Sequence, residues 1–188
     1  MYRLTVLLAW LAFVAANVAP AAAQAPESSR TFKAWRLECF APKARATDGP
    51  DAFDTRPPAG SSCQMQQEIR LQGEQGKVAA IARVRLFGPS RQPFLLLVLP
   101  PNAEADLGVS YAVDDAAPLK VRIRECTARN CVAALQLDAD LLDALRRGNR
   151  LAVGFKVGAT SLATLVALDG FAAAYAGLEA NGPAPAAN

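Results

Sequence analysis

Several short segments of the chain alternate apolar and polar residues, a period of two that indicates β-strands with one buried face. In "FKAWRLECF", Trp35, Leu37 and Cys39 share one face, and charged residues occupy the other. The segment "CQMQQEIRL" repeats this pattern, with Gln67 as the one polar residue on its apolar face. A chain with this periodicity is expected to bury one face of a sheet.

Further segments of strand-like composition follow, and turn residues such as "GPSRQP" and "DDAAP" separate them. Regular spacing of short strands and turns is typical of antiparallel sandwiches. We therefore expect a mainly β single domain, an antiparallel β-sandwich or jelly-roll-like fold, with "FLLLVLP" as a fully buried central strand. Two short helices should complete it, one capped by Asp138 or Asp140 and ended by Gly148, and one capped by Asp169. The other strand segments are "KVAAIARVRLF", "GVSYAVD", "LKVRIREC", "CVAALQLD", "RLAVGFKV" and "SLATLVAL".

The first residues have the pattern of a secretory signal peptide, with Arg3, an apolar run over 4–16 and then small residues. Because this run is too short to cross a hydrocarbon core of roughly 30 Å, we expect no transmembrane segment in the mature form. The predicted location is exported: periplasmic, outer-envelope-associated or secreted. The predicted organisation is a signal peptide over 1–23, a polar leader over 24–31, one domain over 32–180 and a disordered tail over 181–188.

Four cysteines follow the predicted signal peptide, namely Cys39, Cys63, Cys126 and Cys131. An even number of cysteines in an oxidising compartment indicates disulfides. We expect Cys39 to pair with Cys63 and Cys126 with Cys131, because each pair joins neighbouring segments across one loop. For "ECTARNC" a redox motif and a zinc site are the alternatives, but its spacing of four and strand-like flanks favour a structural disulfide.

Composition excludes several functional classes. The chain has no histidine, which removes Ser-His-Asp and Cys-His nucleophilic sites and histidine-ligated zinc. The chain has 20 basic and 17 acidic residues. Removal of the signal peptide with Arg3 leaves a net charge of about +2, which is too small to indicate nucleic acid as a partner. No glycine-rich phosphate loop is present. We therefore predict no catalytic residues, no metal site and no cofactor.

Basic residues occupy alternate positions on two predicted strands, Arg83 and Arg85 on one and Lys120, Arg122 and Arg124 on the other. Alternate positions face one way on a strand. If the two strands are neighbours, these five residues form a basic stripe suited to an anionic component of the envelope or of a host surface. The alternative is the ordinary solvated face of an antiparallel sheet.

An ordered set of segments runs along the chain: W-x-x-x-C at 35–39, C-x-x-x-Q at 63–67, "LLVLP", "GVSYAVD", "ECTARNCVA", "LDADLLDALRRG" and "SLATLVALDGFAAAYAGL". In these segments the chain resembles the invasion-associated locus B family of exported bacterial proteins. The resemblance implies an exported β-sandwich-like domain, associated with the envelope and in some bacteria with host-cell invasion, without established catalytic residues. The insertion "PPNAEADLG" and the arginines before Cys126 depart from the family pattern.

These patterns predict an exported, non-enzymatic binding module of the envelope or the extracellular medium. One alternative is a periplasmic thiol–disulfide oxidoreductase that uses Cys126 and Cys131. The other is an inhibitor or chaperone-like factor for another envelope protein.

Overall fold

The computed structural model describes residues 25–41, 62–70, 78–88 and 90–181. The predicted signal peptide, the first residue of the predicted leader and all but the first residue of the predicted tail lie outside these ranges. No helix in the described ranges is long and apolar enough to cross a membrane.

All strand pairs of the two sheets are antiparallel, as the spacing of strands and turns predicted. The first sheet has seven strands in the order β1-β2-β3-β4-β5-β9-β8, and the second has four in the order β11-β10-β6-β7. The strands are β1 (Ser28–Phe32), β2 (Trp35–Phe40), β3 (Ser62–Arg70), β4 (Val78–Phe87), β5 (Gln92–Leu99), β6 (Val109–Val113), β7 (Leu119–Val121), β8 (Ile123–Cys126), β9 (Cys131–Gln136), β10 (Arg150–Val157) and β11 (Thr160–Ala167).

Both helices expected from the sequence are present, and Asp138 caps the first, whereas the carboxylate of Asp169 bonds to Lys33. Helix α1 (Ala139–Arg147) begins after Asp138, whose side chain accepts a hydrogen bond from the backbone N–H of Leu141 at 2.8 Å. Helix α2 (Phe171–Asn181) follows Gly170, which has a φ of +88° and lies so close to the carbonyl of Phe32 that a Cβ would clash.

The larger of two buried apolar clusters among the described residues lies between the seven-stranded sheet on one side and the four-stranded sheet with α2 on the other. Alternate residues of each strand enter it, which explains the period of two in the sequence. The central strand β5 buries three successive leucines, because residues of both its faces are covered. The largest fully buried side chains are those of Trp35, Phe171, Met65, Leu95, Leu96, Leu97, Leu145, Leu151, Leu178, Val84, Val109 and Val153.

Strands β1, β7 and β8 differ from the sequence-based expectation. Strand β1 lies mostly in the predicted polar leader. Four of the five residues of β1 are exposed, which explains why this segment is polar. A two-residue turn at Lys33 and Ala34 separates β1 from β2. The segment "LKVRIREC" is not one strand, because it leaves the four-stranded sheet after β7 and enters the seven-stranded sheet as β8.

Candidate functional site

The five predicted stripe residues lie on strands that are not neighbours. Strand β4, with Arg83 and Arg85, lies between β3 and β5 in the seven-stranded sheet. Lys120 is on β7 at the end of the other sheet, and Arg124 is on β8, three positions from β4. The two strands are therefore not neighbours, and the five residues do not form a single basic stripe. The chain changes sheets at Arg122, which the sequence pattern did not indicate.

Arg83 belongs to a hydrogen-bonded chain across three strands. Its guanidinium donates from Nε and Nη2 to Oε1 of Gln66 at 3.2 and 3.0 Å, and Nε2 of Gln66 donates to Oε2 of Glu38 at 3.0 Å. The carboxylate of Glu38 also lies 3.6 Å from Arg36. Burial lowers the pKa of Arg83, and the charge of Glu38 opposes that shift. These polar groups stabilise the outer face of the sheet.

Arg85 is only 3% exposed, so its side chain is not part of an accessible surface. Its guanidinium lies 5.3 Å from the ring centroid of Phe87, within the range of a cation–π interaction. Phe87 in turn meets Phe94 edge to face at 5.4 Å. The basic pattern on β4 thus belongs to the packed part of the sheet.

The other three predicted stripe residues lie where the chain crosses between the two sheets, and all three are exposed: Lys120, Arg122 and Arg124. We call these three residues the basic edge. Gly108, with a φ of +67°, supports the crossing, because a Cβ at this position would lie 2.6 Å from the carbonyl oxygen of Val121. Because Gly108 has no side chain, the backbone of Val121 can pack directly against the turn before β6.

A disulfide hairpin continues directly from the basic edge. Cys126 on β8 and Cys131 on β9 are register partners and are bonded to each other. The turn between them is closed by a hydrogen bond from the N–H of Thr127 to the carbonyl of Asn130 at 2.8 Å. Cys126 is exposed and Cys131 is fully buried. The second disulfide joins Cys39 of β2 to Cys63 of β3, so both bonds have the pairing expected from the sequence.

Gln67 connects the two sheets. Its Oε1 accepts from the N–H of Ala167 at 2.9 Å, and its Nε2 donates to the carbonyl of Ala34 at 3.0 Å. Nε1 of Trp35 donates to the carbonyl of Ala167 at 2.9 Å. The sequence analysis did not assign this role, although the single polar residue on an apolar strand face was its signal.

Two cavities flank the exposed side chain of Leu165 on β11. One is a cleft of about 410 Å³ between β11 and the ends of β2 and β3, where Gln67 lies. The other is a shallow depression of about 250 Å³ on the outer face of the four-stranded sheet, lined mainly by small residues. Within the described ranges no three His, Cys, Asp or Glu residues lie close enough together to hold a metal ion.

A charged cluster covers the C-terminal part of α2. The guanidinium of Arg146 lies 4.8 Å from the ring centroid of Tyr175 and 3.4 Å from the carboxylate of Glu179. Burial raises the pKa of Tyr175, as does the charge of Glu179, while Arg146 and Arg91 oppose the shift. This cluster holds α1 against α2.

Fold and surface together define a class of protein: a small antiparallel β-sandwich with two cross-strand disulfides and an exposed basic edge. Residues 35–179 match the model of a protein family described as "Invasion associated locus B (IalB) protein". The chain therefore belongs to the invasion associated locus B family, as the resemblance in the sequence indicated.

A solved relative has the same fold. A crystal structure of invasion associated protein B from Bartonella henselae is similar to this chain with a TM-score of 0.62 and 20% sequence identity. The match covers 81% of this chain and 96% of that chain. No curated protein matches the chain.

Proposed function

We propose that this protein is exported and acts as a non-enzymatic binding module of the bacterial envelope or the extracellular medium. Family membership and two disulfides support export, because disulfides persist in oxidising compartments. A solved member of this fold is named as an invasion associated protein. Contact with a host surface is accordingly one of the settings in which such a module acts.

The observation that carries the proposal is the exposure of all three residues of the basic edge on a well-supported backbone. The pairing of Val121 with Val109 anchors one side of the crossing, and the Cys126–Cys131 hairpin anchors the other. Cations carried on an ordered backbone favour binding because little backbone freedom is lost on contact. The partner is accordingly an anionic component, such as a lipopolysaccharide or an acidic glycan.

Charge reversal tests this proposal. We expect Lys120→Glu combined with Arg122→Glu to weaken binding to purified lipopolysaccharide, measured by titration at low and high salt. The matched control is Arg30→Glu with Arg147→Glu, which changes the net charge equally at exposed positions of β1 and α1. Binding lost in the first variant and retained in the control supports the basic edge. Equal binding by all three proteins would discard it.

A thiol–disulfide oxidoreductase is the second candidate, favoured by one observation. Cys126 is exposed at an edge strand, where another thiol can approach. Its partner Cys131 is buried in β9, and neither cysteine lies at a helix N-terminus, the position that commonly lowers a thiol pKa. An insulin-reduction assay with and without dithiothreitol separates the candidates, since only an oxidoreductase accelerates precipitation of the insulin B chain.

A further inference from the structure

Strand β11 ends the four-stranded sheet, and among the described residues β10 is its one strand partner. The hydrogen bonds at its C-terminal end show which way its peptide groups point. The N–H of Leu168 donates to the carbonyl of Asn149 at 3.0 Å, on the side of β10. The peptide groups of Ala167 point away from β10, toward Gln67 and Trp35.

Peptide groups of alternate residues point to the same side of a strand. Ser161, Ala163 and Leu165 therefore direct their N–H and C=O groups away from β10, as Ala167 does. All three residues are exposed, and within the described part of the chain no hydrogen bond is made to these groups. Among the described residues, the edge of β11 away from β10 thus has three consecutive pairing positions, and Gln67 and Trp35 close it at Ala167.

The composition of β11 distinguishes it from the other end strands. Charged side chains on end strands discourage pairing with another chain. Arg30 is on β1, Lys120 is on β7, and Arg124 and Glu125 are on β8. The eight residues of β11, "TSLATLVA", include no charged residue and no proline.

We propose that β11 pairs antiparallel with β11 of a second copy of the chain, about a two-fold axis at Ala163. In this register Ala163 faces its own equivalent, and Ser161 faces Leu165 of the second copy, so all three open positions are paired. A two-fold axis needs a self-complementary surface, and an uncharged strand meets its equivalent without repulsion. The two four-stranded sheets then form one continuous eight-stranded sheet.

The side chains around the axis fit this arrangement. Leu165 is 58% exposed, and Ser161 and Ala163 on the same face of β11 are also exposed. In this register Leu165 of the second copy lies opposite Ser161 and diagonal to Ala163, so it packs over these two small residues beside the axis. Three paired positions bury less area than the roughly 800 Å² per partner of a standard interface, so dimer formation depends on concentration.

Sedimentation equilibrium of the purified protein from about 10 µM to 1 mM tests the proposal. Leu165→Lys is compared with Leu119→Lys, an equal change at a leucine 57% exposed on the opposite end strand β7. We expect dimerisation of the wild type and of Leu119→Lys, and association weaker by about tenfold or more for Leu165→Lys. A wild type that stays monomeric up to 1 mM, or equal weakening by both variants, overturns it.

A cross-link tests the register separately. In a hydrogen-bonded antiparallel pair the Cα atoms are about 5.5 Å apart, a distance that a disulfide spans. Ala163→Cys should form a covalent dimer on mild oxidation, and Ala116→Cys, at an exposed turn, should not at the same concentration. Peptide mapping confirms that the two native disulfides are retained. Equal cross-linking of both variants contradicts the register.

Discussion

The side-chain amide of Gln67 and the peptide of Ala167 are bonded across the two sheets, with Oε1 accepting from the N–H of Ala167 at 2.9 Å. Nε1 of Trp35 donates to the carbonyl of the same residue, so Ala167 at the end of β11 is held by two side chains from the other sheet. Trp35 is the first residue of the segment W-x-x-x-C, and Gln67 is the last residue of the segment C-x-x-x-Q; both segments match the family pattern. Their shared contact gives those segments a structural role.

Replacing Gln67 with leucine should destabilise the fold by about 1–3 kcal/mol, because the N–H of Ala167 and the carbonyl of Ala34 lose their partner. Urea denaturation measures this change. Gln136→Leu is the control, since Gln136 is exposed and its side-chain amide bonds to the side chain of Gln92; it should alter stability by less than about 0.5 kcal/mol. Equal losses would show that Gln67 does not join the sheets.

Charge reversal should separate the buried and exposed basic positions. Arg85→Glu places a carboxylate at a site only 3% exposed, and we expect a loss of more than about 3 kcal/mol. Lys120→Glu changes an exposed side chain and should shift stability by less than about 0.5 kcal/mol. Thermal unfolding followed by circular dichroism reports both. A folded Arg85→Glu variant of wild-type stability would contradict the packing of β4.

The two disulfides should contribute unequally to stability. Cys39 and Cys63 are 24 positions apart, and Cys126 and Cys131 are five apart, so the first closes the longer loop. In the chain-entropy model their removal costs about 3.5 and about 2 kcal/mol respectively. Denaturation of Cys39→Ala/Cys63→Ala and Cys126→Ala/Cys131→Ala tests the order. The reverse order would mean that the hairpin next to the basic edge dominates stability.

Alkaline pH should destabilise the protein through Tyr175 and Tyr111. Burial raises the pKa of both phenols in the folded state. An unfolded tyrosine ionises near pH 10, so above this pH the unfolded state releases protons first and the free energy of unfolding falls as pH rises. Tyr175→Phe should show a shallower decline from about pH 10 to 11 in guanidinium unfolding. An identical decline would exclude Tyr175 as a cause.

The sequence predicted the features that depend on local pattern. Alternation in β2 and β3 indicated strands, Asp138 before a leucine stripe indicated the start of α1, and the spacing of the cysteines indicated their pairing. These features were predictable because side-chain period, helix capping and short loops are set by residues close together in the chain.

The candidate site was less predictable because it depends on contacts between distant residues. Alternation placed Arg83 and Arg85 on one face, but it could not show that this face of β4 is packed. The strand pattern of "LKVRIREC" could not show that the chain changes sheets at Arg122. Gln67 was recognised as an exception, and its partner Ala167 lies 100 positions away.

The proposal of a disulfide-stabilised binding module, as opposed to a redox enzyme, is tested most directly by titrating the purified protein across redox buffers while its fold is followed by circular dichroism. We expect both disulfides to stay closed down to about −300 mV, as structural disulfides of secreted proteins do. Opening of Cys126–Cys131 between about −270 and −120 mV, the range of disulfide oxidoreductases, with the fold retained would contradict the proposal.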